Sequence, residues 1–484
     1  MSTVVWHSQV VAEIAQSRTL EQPCVQVHDV LRSTTLPLDR GSRLAYIAAH
    51  MKPSDEKSAE LRRVVVASFI GTTIEWYDFF LYGTAAALVF NRLFFPTLEP
   101  LAGTLSAYGT FAVGFVARPL GGIVFGHYGD RFGRKKMLVW SLLIMGVATA
   151  LIGLIPTYSQ IGIWAPILLV VLRFVQGFGV GGEWGGAVLL AVEHSGGERR
   201  GFHGSWPQMG VPGGLLLSTL VFAVLSSRLP EPAFLAWGWR VPFLVSVLLV
   251  GVGLFIRLRV LESPSFEKLK DARRESRAPL LDVFREHPRE VLIGMGMRFA
   301  QNVIFYIYTV FVLSYGEKTL GYPRSVMLRG VMIASLFGLF TIPLWSHISD
   351  RIGRRPVYLA GGIASLLVAF PFFWLVERGP GFVILAMILA MNFGHDMMYG
   401  PMGATLSELF GTHVRYTGAS LVYQLTSVVS GGVAPFIATV LLARYGSGAV
   451  AGYMVACCAV TIIATVFLPE TNRVKLDAAN LAPN

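Results

Sequence analysis

The string Gly126-His127-Tyr128-Gly129-Asp130-Arg131-Phe132-Gly133-Arg134-Lys135 returns as Ser346-His347-Ile348-Ser349-Asp350-Arg351-Ile352-Gly353-Arg354-Arg355, so Asp350 follows Asp130 by 220 positions. Each copy sits between two long apolar segments. A charged turn repeated at that period marks two related halves, each a unit of several elements. The likeness extends past the turn. Glu193 is followed by Arg199, Arg200 and Gly201, and Glu408 by Arg415 and Gly418.

The medium of the fold follows from composition. Of 484 residues, 54% are hydrophobic and 14% charged, whereas a soluble chain carries about 25% charge. Mean hydropathy is +0.58. Apolar stretches of about 20 residues can each cross a bilayer core of roughly 30 Å. Twelve are expected, at about 64–90, 103–125, 137–156, 164–190, 205–226, 239–259, 291–314, 327–346, 357–376, 381–405, 417–442 and 449–468. The predicted fold is therefore an all-α integral membrane protein, with twelve transmembrane helices in two pseudo-symmetric six-helix halves. Residues 61–260 form the first half and 291–470 the second. A cytoplasmic linker, 261–290, separates them and carries Lys268, Lys270, Arg273, Arg274, Arg277, Arg285 and Arg289. Residues 1–60 read as a disordered cytoplasmic tail, with Met51 an alternative start, and 471–484 as a second tail.

Net charge is +11, but its distribution points to topology rather than to nucleic acid. Lys and Arg concentrate in the loops on the N-terminal side, which places both termini in the cytoplasm beside anionic lipid headgroups. The expected location is the inner or plasma membrane, crossed many times. The first 60 residues lack the apolar core of a cleavable signal peptide. Cys24, Cys457 and Cys458 give no disulfide framework. No Gly-Lys-Ser/Thr string suggests ATP, and no zinc-ligand set or catalytic triad suggests an enzyme. The G-x-G-x-x-G within Gly177–Gly186 follows no strand. Its small residues, Gly177/Gly181 and Gly182/Gly186, are spaced for close helix approach instead.

A charge at mid-bilayer costs at least ~2.5–3.5 kcal/mol on insertion scales, so those retained point to function. They are Glu75 and Asp78 in segment one, Arg118 in two, Arg173 and Glu183 in four, Arg298 in seven, and His395 with Asp396 in ten. Arg118 aside, they fall on segments one, four, seven and ten, the first members of four three-segment units, whose polar faces converge on one cavity. Glu75 and Asp78 share a helix face. Two carboxylates so close in low dielectric resist ionising together, which suits proton coupling. The alternative is a static ion pair with Arg173. Arg173 and Arg298 are forked cations suited to anchoring a carboxylate substrate, or to pairing with the acids. Arg298 shares its face with Gln301, Asn302, Phe305 and Tyr306, and Arg118 reads as structural. His395-Asp396, flanked by Gly394 and Gly400-Pro401, suits a cavity wall or hinge, with Asp396 the stronger proton carrier and His395 a shuttle or a packing residue. In the repeated turns, Asp130, Arg131, Arg134, Glu193, Asp350, Arg351, Arg354 and Glu408 are expected to gate the cycle. Arg134 reaches Glu193 and Arg354 reaches Glu408 there, in exposed pairs worth under ~1 kcal/mol each.

These residues resemble the major facilitator superfamily, and within it the metabolite–proton symporter family. The two Asp-Arg-x-Gly-Arg turns are similar to the superfamily signature, although the second has Ser346 where the first has Gly126. More specific are Glu75-Trp76-Tyr77-Asp78-Phe79, Arg118-Pro119-Leu120-Gly121-Gly122, Arg173-Phe174-Val175-Gln176-Gly177 with Gly181-Gly182-Glu183-Trp184, Trp237-Gly238-Trp239-Arg240-Val241-Pro242-Phe243, Glu262-Ser263-Pro264, and Glu408-Leu409-Phe410 with Arg415-Tyr416-Thr417-Gly418. The resemblance covers about 64–470 of the chain. It implies alternating access and uptake of a small organic metabolite, a carboxylate above all, driven by a proton gradient without a cofactor, in a monomer. Export by proton antiport is the alternative within transport. A membrane enzyme or a nutrient sensor lies outside it.

Overall fold

The computed structural model describes residues 53–132, 134–181, 184–193, 199–259, 279–410 and 414–472. Residues 1–52, most of the expected linker (260–278), Glu183 and the tail 473–484 lie outside the described residues, as do the side chains of Asp130, Arg131, Arg134 and Glu193. Every regular element among the described residues is helical.

Twelve long helices account for the twelve apolar stretches. They are α1 (53–94), α2 (Pro100–Phe132), α3 (Arg134–Leu154), α4 (described over 164–181 and 184–193), α5 (Arg200–Arg228), α6 (Val241–Arg259), α7 (Pro288–Thr319), α8 (Arg324–Ile352), α9 (Arg354–Arg378), α10 (Pro380–Leu409), α11 (415–445) and α12 (Ser447–Val466). Nine contain a window long and apolar enough to cross a membrane, and the apolar parts of α3 and α4 are shorter. The twelfth is α1, whose span is interrupted by charge at Glu75 and Asp78. The end of the expected linker forms a short helix, Pro279–Glu286.

Burial sorts the helices. The apolar window of α7 is 94% buried, against 39% for α6, α9 and α12. Residues 74–90 of α1 are likewise buried throughout. α1 and α7 therefore stand at the centre of the bundle. The outward faces of the others expose Val116, Leu248 and Phe340 to the surroundings, as lipid-facing helices must.

Glycines set the closest approaches. A Cβ at Gly177 would strike the carbonyl of Gly114, and one at Gly181 the carbonyl of Arg118. The Gly177/Gly181 spacing thus lets α4 lie directly on the α2 backbone, as the small-residue pattern predicts. In the second half Ser346 is fully buried against Gly400 of α10, whose missing side chain leaves room for its hydroxyl. The serine therefore keeps the packing tight, because the glycine stands on the opposite helix.

Wide π turns interrupt the central helices, at Ala86–Phe90 in α1, Ile307–Phe311 and Tyr315–Thr319 in α7, Leu389–His395 in α10 and Ser427–Gly432 in α11. Such turns re-aim side chains and cluster at functional sites. The irregularity expected at Gly394–Pro401 lies mostly upstream, and ends on His395. Pro401 itself is inside a continuous helix, Asp396–Leu409.

Candidate functional site

Where α1, α5, α7, α10 and α11 meet there is a cavity of about 10 Å³, room for about one water molecule. It is lined by Trp76, Val211, Arg298, Gln301, Asn302, Phe305, Tyr306, His395, Tyr399 and Tyr423. The polar face expected around Arg298 is therefore the cavity wall, and α7 supplies half of it.

Arg298 is held by its own helix and by α11. Its Nη1 donates to the Tyr423 carbonyl and to Ser427 Oγ, each at 2.9 Å. Nη2 reaches Asn302 Oδ1 only at 3.5 Å, and Nε has no acceptor. Asn302 is fixed in turn by its bond to Ser430 Oγ at 2.8 Å. Among the described residues no carboxylate pairs with Arg298. Nε is thus without a partner and Nη2 is held only by the long Asn302 contact, and the edge these two nitrogens form matches the two oxygens of a carboxylate.

Arg173 does not line the cavity. Its Nη1 donates to Gln176 Oε1, its Nε and Nη2 have no acceptor, and its guanidinium packs over the rings of Tyr82 and Phe79. Gln176 passes the connection to the Asp78 carbonyl at 3.2 Å and to Thr149 Oγ1 at 2.8 Å. The direct ion pair between Arg173 and Asp78 is not formed. Arg118, read from sequence as structural, is as buried as the other two. It stands over Phe79 at 4.2 Å and Phe115 at 4.8 Å, with Nε and Nη2 unpaired. Phe79 thus lies against two cations, which its π face favours.

Glu75 and Asp78 are both buried on α1. Neither Asp78 oxygen accepts a hydrogen bond. Thr149, whose hydroxyl stands beside it, donates to the Met145 carbonyl instead.

His395 and Asp396 stand at different places relative to the cavity. His395 lines the cavity, with its ring between Phe305 and Tyr399. Asp396 sits behind it, taking bonds from Thr341 Oγ1 and from Asn392 Nδ2 at 2.9 Å. His395 Nδ1 meets Asp396 Oδ1 at 2.9 Å, and Nε2 meets the Gln301 amide nitrogen at 2.7 Å. An amide nitrogen donates, so Nε2 accepts and the proton sits on Nδ1 in this arrangement.

Bonds between the two sets of six helices stand at both ends of the bundle. On one side Tyr108 and Ser314 hydroxyls pair at 2.7 Å, and Lys318 Nζ donates to Thr104 at 3.0 Å. On the other, Asp350 accepts from the Gly201 and Phe202 amides at the start of α5. Arg354 joins Asp350 at 2.7 Å and Glu408 at 3.2 Å, and Arg200 of α5 approaches Glu408 at 3.4 Å. The expected Arg354–Glu408 pair is present, but the network is buried rather than exposed. Desolvation then makes the removal of one partner costly, about 3–5 kcal/mol, in place of the small surface value. Arg351, expected in the network, is exposed and takes no part. Glu470 was not foreseen. It accepts from the Arg354 and Arg355 amides at 2.8 and 3.2 Å, and the only sequence signal was an acid at the end of the last apolar stretch. Where the first-half turn stands, Asp130 and Arg131 lie near the end of α2, Arg134 begins α3 and Glu193 ends α4.

A sequence profile of the Major Facilitator Superfamily matches residues 68–435. The chain belongs to the Major Facilitator Superfamily. Among its superfamily relatives, the shikimate transporter of Escherichia coli (strain K12) is 43% identical over 417 residues, 85% of this chain and 95% of the relative. The inner membrane metabolite transport protein YhjE of the same organism is 43% identical over 422 residues, 86% of this chain and 95% of the relative. The Proline/betaine transporter of E. coli K12 is 35% identical over 435 residues, covering 87% and 86%. The superfamily fold is shared with the proton:xylose symporter XylE bound to 6-bromo-6-deoxy-D-glucose, with a TM-score of 0.70 at 17% identity over 87% of this chain and 98% of that one. The protein is a multi-pass membrane transporter of metabolites, and not an enzyme.

Proposed function

We propose that this transporter takes up a small organic anion together with protons, with Arg298 as the carboxylate anchor. The observation that carries the reading is the unpartnered Nε, beside a loosely held Nη2, of a buried guanidinium on the cavity wall. A cation in a membrane interior is retained where it has an anionic partner, and no described residue supplies one. Asn302 holds Nη2 in place, and Tyr306 closes the far side of the cavity. Arg173 stands deeper, and Glu183 lies outside the described residues. Both are assigned to the substrate path of the first half in the states of the cycle that open it, since Arg173 does not touch the cavity in this one.

Protons enter by two routes consistent with the geometry. Asp78, next to Glu75, can gain or lose a proton without breaking a hydrogen bond, since neither oxygen has a donor. His395 can accept one at Nε2 if the Gln301 amide turns over. That rotation also gives the unpartnered Gln301 Oε1 a donor, and Asp396 then balances the imidazolium. Alternating access moves the two six-helix halves about the cavity. The side bearing the Asp350 turn faces the cytoplasm with both termini, and the gating turn of the first half mirrors that of the second.

Uptake by purified protein in proteoliposomes tests this. Labelled shikimate, succinate, α-ketoglutarate and citrate are offered beside proline and glycine betaine, with and without an inward proton gradient. Saturable uptake of a carboxylate, accelerated by the gradient, is expected. Transport confined to uncharged or cationic compounds, or indifferent to the gradient, refutes the proposal.

A further inference from the structure

Arg298 and Trp184 occupy opposite faces of one ring. The Arg298 guanidinium carbon stands 3.6 Å from the Tyr423 centroid. The Trp184 ring is stacked on Tyr423 at 3.8 Å and 18° from parallel. Two groups that close to one centroid cannot share a face, so Tyr423 is sandwiched between them. The arginine side moves with Tyr423, because Arg298 Nη1 is bonded to the Tyr423 carbonyl and both lie in the second half. The tryptophan side belongs to α4 of the first half. Its Nε1 is fixed by Gln208 Oε1 at 2.9 Å, and Gln208 bonds onward to the Tyr399 carbonyl at 3.2 Å. Next to Tyr423, Gln424 donates to the Gly181 carbonyl of α4 at 3.0 Å. The ring is therefore one element of the seam between α4 and α11, and its far face touches the cation of the cavity.

The two contacts depend on each other. Face-to-face stacking of two aromatic rings is opposed by their like quadrupoles. A cation over the far face of Tyr423 draws electron density from the ring and relieves that opposition. A carboxylate seated on the guanidinium cancels much of the field. We propose that Tyr423 is a positioning residue that couples occupancy of Arg298 to the seam. The unoccupied guanidinium holds Trp184 stacked and the seam shut, and a bound carboxylate loosens it. The proposal rests on the reading of Arg298 as the carboxylate anchor.

The test uses the full-length protein in nanodiscs without any substrate, so its outcome is separable from the uptake assay. Amide hydrogen exchange of Arg415–Thr426 is measured relative to Ser447–Val466 of the same preparation, which controls for general misfolding. Tyr423→Phe keeps the ring and exchanges as wild type. Trp184→Leu and Arg298→Gln each exchange several-fold faster. The double variant is no faster than the faster single, because both changes break one stack. Wild-type exchange in Trp184→Leu overturns the proposal. So does multiplication of the two effects in the double variant, which a merely structural role for each residue would produce.

Discussion

The Gly201 amide donates to the Asp350 carboxylate at 2.8 Å, tying the first turn of α5 to the end of α8 across the two halves. The other carboxylate oxygen accepts from Phe202 at 2.9 Å. One side chain thus satisfies two of the amides that a helix start leaves free, with the helix dipole in its favour. Glycine is needed for the approach. A Cβ at 201 would run into Arg354 Nη1 and stand 2.8 Å from Asp350 Oδ1.

Gly201→Val should therefore force this contact apart. Hydrogen bonds to a charged group are worth about 1.5–3 kcal/mol each, so losing both shifts the balance between closed and open by more than tenfold. Initial uptake rates at equal membrane abundance should fall at least about tenfold in Gly201→Val, and at least as far in Asp350→Asn, which also removes a buried charge partner of Arg354. Rates equal to wild type in Gly201→Val would show that the contact does not control the cycle.

Arg298→Lys keeps the positive charge but loses the fork. Apparent affinity for the transported carboxylate should weaken about tenfold, the worth of one lost charge-assisted bond. Concentration-dependent uptake measures it, and Arg173→Lys is the comparison. Because Arg173 is off the cavity wall, its change should touch maximal rate more than affinity.

Asp78→Asn should abolish gradient-driven accumulation while sparing substrate counterflow, which needs no net proton movement. Glu75→Gln should do so less completely. Accumulation by both variants at wild-type level excludes α1 from proton coupling and leaves the His395–Asp396 pair.

Gly181→Val places a branched side chain against the Arg118 carbonyl. Overpacking costs about 1–3 kcal/mol, and more against backbone that cannot yield. A lowered midpoint of thermal unfolding is expected, measured on purified protein in detergent. An unchanged midpoint would mean that α2 and α4 separate more easily than their spacing indicates.

Much of this was legible because a membrane makes charge conspicuous. Glu75, Asp78, Arg173, Arg298 and His395 stood out in apolar text, and the duplicated turn announced both the halves and the Arg354–Glu408 pair. What escaped notice depends on the third dimension. Trp184 and Tyr423 are ordinary aromatic residues in apolar helices until the fold stacks them. Glu470 gained meaning only when the end of α12 met the α8–α9 turn. That the Arg118 guanidinium lies among the rings of Phe79 and Phe115 could not be read from the sequence, which gives no sign of which rings the fold brings to it. Burial of the charged turn could not be read either, since a run of Asp and Arg at a helix end looks solvated in any sequence.

The small volume at the centre has a bearing on the cell's energy supply. That cavity has space for about one water, and bonds between the halves stand at both ends of the bundle, so the cavity itself holds no file of solvent. Protons hop along hydrogen-bonded water, and a cavity this small offers them no chain of it. Under the proposed proton coupling, the gradient is drawn on only when a cargo-bearing cycle turns, and an idle copy leaves the membrane's charge intact.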